Sequence, residues 1–80
     1  MNAQVKLKDG NYYVDLFRND EWITIADCGT NQSLAIELKN HIRRNDISDA
    51  DSKSLEAHYK RGNRYINHNF INRHKSTKNN

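Results

Sequence analysis

Proline is absent from this chain of 80 residues, and cysteine, methionine and tryptophan occur once each. A single cysteine, Cys28, cannot form an internal disulfide or supply a thiolate zinc site, which excludes disulfide scaffolds and zinc fingers. No apolar run approaches the roughly 18 residues that a membrane-spanning helix needs, so we expect no membrane partner. The stretch from Met1 to Lys8 alternates polar and apolar residues, unlike a secretory signal, which predicts a cytoplasmic protein.

Hydrophobic residues are also scarce, at 35% of the chain, with a mean hydropathy of -1.08. A chain of this length is near the lower limit for one hydrophobic core. We therefore expect a single small domain over residues 1–74. Residues 75–80 offer no apolar side chain for burial, which predicts a disordered basic tail. Self-association into a homodimer is an alternative way to bury further apolar surface.

Positive charge is concentrated in the C-terminal part of the chain. Residues 1–50 carry six Lys or Arg and eight Asp or Glu, whereas residues 51–80 carry seven and two, so the net charges are -2 and +5. Three of the four histidines, His58, His68 and His74, also lie in the basic part. An anionic partner would be attracted to this C-terminal third.

Three alternating segments at the start of the chain predict an antiparallel β-meander. Residues 4–8, 12–18 and 22–27 alternate apolar and polar side chains, and short polar turns at residues 9–11 and 19–21 separate them. The predicted apolar face of this sheet carries Val5, Leu7, Val14, Leu16, Ile23 and Ile25. The opposite face carries Lys6, Lys8, Tyr13, Asp15, Phe17, Trp22 and Thr24, an unusually aromatic set for a surface in water.

After Gly29 the apolar period changes to that of a helix. Leu34, Leu38 and Ile42 recur every four residues, which predicts a helix over residues 30–44 with Thr30 or Asn31 as its N-cap. The final third repeats the pattern in one stripe, formed by Leu55, Tyr59, Gly62, Ile66 and Phe70. Gly62 favours a break in this second helical segment. The predicted fold is therefore α+β with the element order βββαα, in which the second helix covers the aromatic face or mediates dimerisation.

A resemblance to a known family accompanies this predicted order of strands and helix. Its features are two polar turns and the residues Gly10, Tyr12, Tyr13, Thr30 and Ala35. In them, residues 10–44 resemble the arm-type DNA-binding domains of phage and transposon tyrosine recombinases. The resemblance implies a three-stranded sheet that enters the major groove, with one helix behind it. The chain differs from that family in two ways. Asp15 lies on the sheet face that the family keeps basic, and no basic arm precedes the sheet.

Patterns typical of catalysis and of metal binding are missing from the sequence. It contains no G-x-S-x-G, phosphate-binding loop or paired-carboxylate signature, and Cys28 has no histidine near it in the chain. His58, His68 and His74 are separated by ten and six residues, so no pair has the i, i+4 spacing that helical metal sites favour. We expect a protein that is not an enzyme and that uses no cofactor or metal.

The dense basic run near the C-terminus is the main functional signal. The residues predicted to contact an anionic partner are Lys60, Arg61, Arg64, Arg73 and Lys75. We expect a small binding protein that engages nucleic acid, DNA or RNA, through this C-terminal third. A solvated face that keeps the protein soluble is the alternative structural reading. The high asparagine count and the lack of proline are typical of A/T-rich genomes and favour a phage or mobile-element origin.

Aromatic residues suggest a different class of partner. Tyr13, Phe17 and Trp22, or alternatively Tyr59, Tyr65 and Phe70, could supply the aromatic anchors that dominate protein interfaces. In that hypothesis the chain is a protein-binding module that modulates or inhibits a host or defence enzyme through an acidic surface of that enzyme.

Overall fold

Three strands, adjacent in the order of the chain, form one antiparallel sheet in the computed structural model, which describes residues 1–66. They are β1 (Ala3–Lys8), β2 (Asn11–Arg18) and β3 (Glu21–Asp27). Two-residue turns join them, Asp9 with Gly10 and Asn19 with Asp20, and all four turn residues have positive φ. Asn, Asp and Gly tolerate that conformation, which matches the twist of the flanking strands. The predicted meander is confirmed.

A β-bulge in β3 adds one residue that the strand pattern did not predict. Val14 pairs with Ala26 and Asp15 pairs with Thr24, so Ile25 is an extra residue between the two pairs. Ile25 is fully buried. Ile25 belongs to the hydrophobic core and Ile23 packs against it, so both lie on the predicted apolar face, and Ala26 lies opposite Val14.

The first helix, α1 (Gln32–Arg43), packs against β1 and β2. Asn31 is its N-cap, and the side-chain oxygen of Asn31 accepts a hydrogen bond from the Leu34 N–H at 3.0 Å. The side chains at the predicted four-residue spacing, Leu34, Leu38 and Ile42, are all buried. We call the sheet surface beneath α1 the covered face; it includes Val14 and Leu16.

The second helix, α2 (Asp49–Lys60), packs against β3. It begins at the N-cap Ser48, whose hydroxyl accepts from the Asp51 N–H at 3.0 Å. Leu55 and Ile47 join the same hydrophobic core as the buried residues of α1. The predicted βββαα order is thus confirmed, and both helices share one core.

Gly62 ends α2, as the sequence favoured. Its φ is 86°, its N–H donates to the Tyr59 carbonyl at 2.9 Å, and the next N–H, of Asn63, donates to the His58 carbonyl at 3.3 Å. This pair of bonds is a Schellman motif, which satisfies the last carbonyls of a helix when a left-handed residue follows it. A glycine adopts that conformation without strain.

Beyond Gly62 the chain returns to the sheet, and the predicted continuous stripe fails there. The Tyr65 N–H donates to the Asp27 carbonyl at 2.8 Å, and the Tyr65 side chain is buried in the core. Ile66, which the stripe predicted to be buried, is exposed because the chain no longer follows the helix. Phe70 and the predicted tail at 75–80 lie outside the described residues.

Candidate binding surface

The sheet surface opposite α1, which we call the outer face, combines charged and aromatic side chains. Register and strand alternation place on it Gln4, Lys6, Lys8, Tyr13, Asp15, Phe17, Trp22 and Thr24. The predicted membership of this face is confirmed. Along β2 the order is ring, carboxylate, ring, because Tyr13, Asp15 and Phe17 alternate with residues of the covered face.

Asp15 is the centre of a polar network that joins all three strands. Its side chain accepts hydrogen bonds from Thr24 Oγ1 at 2.7 Å and from Gln4 Nε2 at 3.1 Å. Lys6 Nζ lies 3.5 Å from its Oδ2 and donates to Thr24 Oγ1 at 3.2 Å. Only 3% of Asp15 is exposed, so the carboxylate is satisfied within the sheet. The network also neutralises the middle of the outer face, since one carboxylate faces one ammonium group.

Phe17 and Trp22 form a cross-strand pair at one end of the outer face. Their ring centroids are 5.1 Å apart and their planes are inclined by 59°. Phe17 is 37% exposed and Trp22 is 46% exposed. The expectation that the second helix covers this face is therefore wrong for these two rings, because α2 packs along β3 and leaves them in solvent.

At the other end of the outer face, α2 does make contact. Tyr59 and Tyr13 pack in a T-shaped arrangement, with ring centroids 6.5 Å apart and an interplanar angle of 80°. A recess of about 200 Å³ is formed there, lined by Lys6, Lys8, Asp9, Tyr13, Thr24 and Tyr59. Lys8 is exposed and has no carboxylate within ion-pair distance in residues 1–66.

The predicted basic residues have different environments at the end of α2. Lys60 forms an ion pair with Glu56 at 3.0 Å, and Arg64 packs against Gly29, where an added Cβ would approach the Arg64 side chain to 3.0 Å. Arg61 is exposed and has no ion pair within the part of the chain that the structure describes. Lys60 and Arg64 do not lie on one flank of a helix, because α2 ends at Lys60. Arg73 and Lys75 lie outside the described residues.

Net charge separates the described residues from the rest of the chain. Residues 1–66 contain ten Lys or Arg and ten Asp or Glu, so their charges cancel. Residues 67–80 contain three Lys or Arg and no Asp or Glu, which accounts for the whole formal charge of +3. Attraction of a polyanion would therefore depend on individual lysine and arginine side chains of residues 1–66 and on the net positive charge of residues 67–80.

Burial raises the pKa values of two titratable groups in the core, Cys28 and Tyr65. Burial, with a smaller contribution from Asp27, raises the pKa of the Cys28 thiol to about 11. Burial, followed by the charges of Cys28 and Glu37, raises the pKa of Tyr65 to about 12. A thiol that stays protonated at pH 7 is a weak nucleophile.

Residues 1–66 contain no cluster of three His, Cys, Asp or Glu side chains placed to hold a metal ion. Within the same residues, neither helix is long and apolar enough to cross a membrane. No protein-family model matches the chain, and no curated protein or solved structure is significantly similar to it.

Sequence reasoning missed the proximity of Lys6 and Lys8 to Tyr59 of α2. The two lysines are more than fifty residues from Tyr59 in the chain, and the contact between Tyr13 and Tyr59 brings the three side chains to one recess. Nothing local to either segment signals that contact. The aromatic members Tyr13, Phe17 and Trp22 were found because alternation along strands is a local property.

Proposed function

We propose that this protein is a small non-enzymatic binding protein that engages nucleic acid, DNA or RNA, through its basic C-terminal third and the adjoining outer face. One observation carries the proposal. Tyr59 lines the same recess as Lys6 and Lys8, and it immediately precedes Lys60 and Arg61. Lys6 and Lys8 therefore border one recess with the rings of Tyr13 and Tyr59, although Asp9 also lines it. Cations beside aromatic rings suit phosphates and bases.

The free cations are the groups we expect to contact phosphate. Lys8 and Arg61 have no carboxylate partner within residues 1–66, whereas Lys60 is held by Glu56. Arg73 and Lys75 add charge beyond the described residues. Neutralising several phosphates releases counterions, so affinity falls steeply as the salt concentration rises.

A salt-dependent gel shift with the full chain tests this proposal. We expect the double variant Lys8→Gln with Arg61→Gln to reduce the slope of log affinity against log salt by about 1.5 to 2. Lys53→Gln is the control, because Lys53 is an exposed lysine of α2 that pairs with Asp49 at 3.4 Å. Failure of the chain to bind DNA or RNA at low salt would reject the proposal, and an equal loss per removed charge in the control would reject the assigned residues.

A second candidate function has one observation in its favour. The exposed rings of Phe17 and Trp22, with Tyr13 on the same face, are of the residue types that anchor protein interfaces. In this alternative the outer face binds an acidic surface of another protein, which it modulates or inhibits. It predicts an affinity for protein that survives removal of residues 67–80 and no retardation of nucleic acid at low salt.

A further inference from the structure

The aromatic pair Phe17–Trp22 lies on the outer face and is exposed. The two side chains pack on each other across β2 and β3, yet more than a third of each is exposed. The hydrophobic core contains neither ring. Contiguous exposed aromatic surface on a small domain is characteristic of a binding site.

The position of the pair relates it to the cations of the same face. Along β2, Phe17 is four residues from Tyr13, about 13 Å at the strand rise of about 3.3 Å per residue. Trp22 is two residues from Thr24, which accepts a hydrogen bond from Lys6. A ligand that covers the pair and the recess would therefore pass over Lys6 and approach Lys8, so rings and cations form one continuous track.

From this track we infer that the outer face binds single-stranded nucleic acid, with unpaired bases stacked on Phe17 and Trp22 and phosphates directed to Lys8 and the end of α2. This inference rests on the proposed function and specifies its ligand. Bases inside a duplex are stacked on each other, so exposed rings on a sheet can stack only on bases that are unpaired.

Charge at the centre of the face favours a single strand over a duplex. A sheet that enters a duplex groove lies between two phosphate backbones and needs cations across its width. Here Asp15 is at the centre and offsets Lys6 at 3.5 Å. A single strand can keep its phosphates on one side, towards Lys8, and leave the neutral centre to its bases.

Fluorescence of Trp22, the one tryptophan of the chain, gives a direct assay. The full chain is titrated with a 15-nucleotide oligothymidine, a ribonucleotide strand of equal length and a duplex of equal length. We expect quenching of Trp22 by the single strands at lower concentrations than by the duplex. Phe17→Leu keeps an apolar side chain but removes a stacking surface, and it should weaken single-strand binding about 5- to 150-fold, the range given by about 1–3 kcal/mol per stacked base.

Two controls separate stacking from other effects. Ile36→Ala removes an apolar side chain of similar exposure, 38%, from α1, and it should leave affinity unchanged. Trp22→Leu, followed by a gel shift, should weaken single-strand binding while the salt slope stays constant, because stacking releases no counterions.

The possible outcomes separate this inference from the proposal on which it depends. Tighter binding of the duplex, or affinity that is unchanged in both ring variants, would overturn single-strand stacking and leave nucleic-acid binding intact. If none of the three ligands binds at low salt, both nucleic-acid binding and single-strand stacking are overturned. A protein partner for Phe17 and Trp22 then becomes the favoured hypothesis.

Discussion

The same three strands form both faces of the sheet, but the covered face is apolar and buried, whereas the outer face is polar and aromatic. On the covered face, Val14 and Leu16 of β2 are fully buried beneath α1. On the outer face, the intervening residues are Asp15, which is buried in a polar network, and Phe17, which is exposed. Burial explains the residues of the covered face. The exposed aromatic pair of the outer face lies outside the core, and we propose it as a ligand-binding surface for that reason.

The largest loss of stability is expected from a substitution on the covered side of the sheet. Leu38 is fully buried in the core between α1 and the sheet, so Leu38→Ala should lower the free energy of unfolding by about 2–5 kcal/mol. Urea denaturation of the variant and the parent chain measures this. An unchanged midpoint would show that α1 does not hold the core as described.

The next largest effect concerns an ion pair between β2 and α2. Arg18 donates a hydrogen bond to Glu56, and this bond, together with Lys60, lowers the pKa of Glu56 despite its burial. Because the folded pKa is below that of the unfolded chain, the stabilisation is complete above the ordinary value of 4.5 and is lost as the pH falls through the folded value.

Glu56→Gln should therefore cost about 1.5–3 kcal/mol at pH 7 and reduce the loss of stability on acidification below about pH 4.5. Denaturation at pH 7 and at pH 3 measures both effects. Lys53→Gln, on the exposed side of α2, is the matched control. A variant with the acid sensitivity of the parent chain would show that Glu56 is not the group responsible.

A smaller effect is expected at the centre of the outer face, with opposite consequences for stability and binding. Asp15→Asn removes the charge that Lys6 faces and should cost about 1–3 kcal/mol, since the buried network loses its charge-assisted bonds. The same change frees Lys6 and should strengthen binding to nucleic acid. Denaturation and a gel shift together test this, and a parallel fall in both would contradict the division of the face.

The smallest effect on stability should follow changes to the exposed rings. Phe17→Leu is expected to change the free energy of unfolding by no more than about 0.5 kcal/mol, because the side chain packs outside the core. Comparison with Leu38→Ala under the same conditions is the measurement. A cost of several kcal/mol would mean that the outer face is structural.

Local patterns predicted most of the fold. The period of Leu34, Leu38 and Ile42 identified α1, and the turn at Gly10 identified the first hairpin. The N-cap at Ser48 was not predicted, because residues 45–49 are mostly polar and show no helical period. The bulge at Ile25 could not be predicted, since an extra residue in a strand leaves the pattern locally intact.

The site was predictable only where it depends on one segment. Alternation placed Phe17 and Trp22 on one face, and the register confirms it. The burial of Tyr65 was missed because a helical stripe extended past Gly62 assigns Ile66 to the core instead. The neighbourhood of Lys8 and Tyr59 depends on how α2 packs, which is a property of the whole chain.

Amide chemical shifts, measured by NMR while a single-stranded oligonucleotide is added to the full chain, test the central claim most directly. We predict that the largest changes occur in residues of the outer face around Phe17, Trp22 and Thr24 and at Lys8, while Leu34 and Leu38 of α1 change little. Changes centred on α1, or spread evenly over both faces of the sheet, would contradict the account.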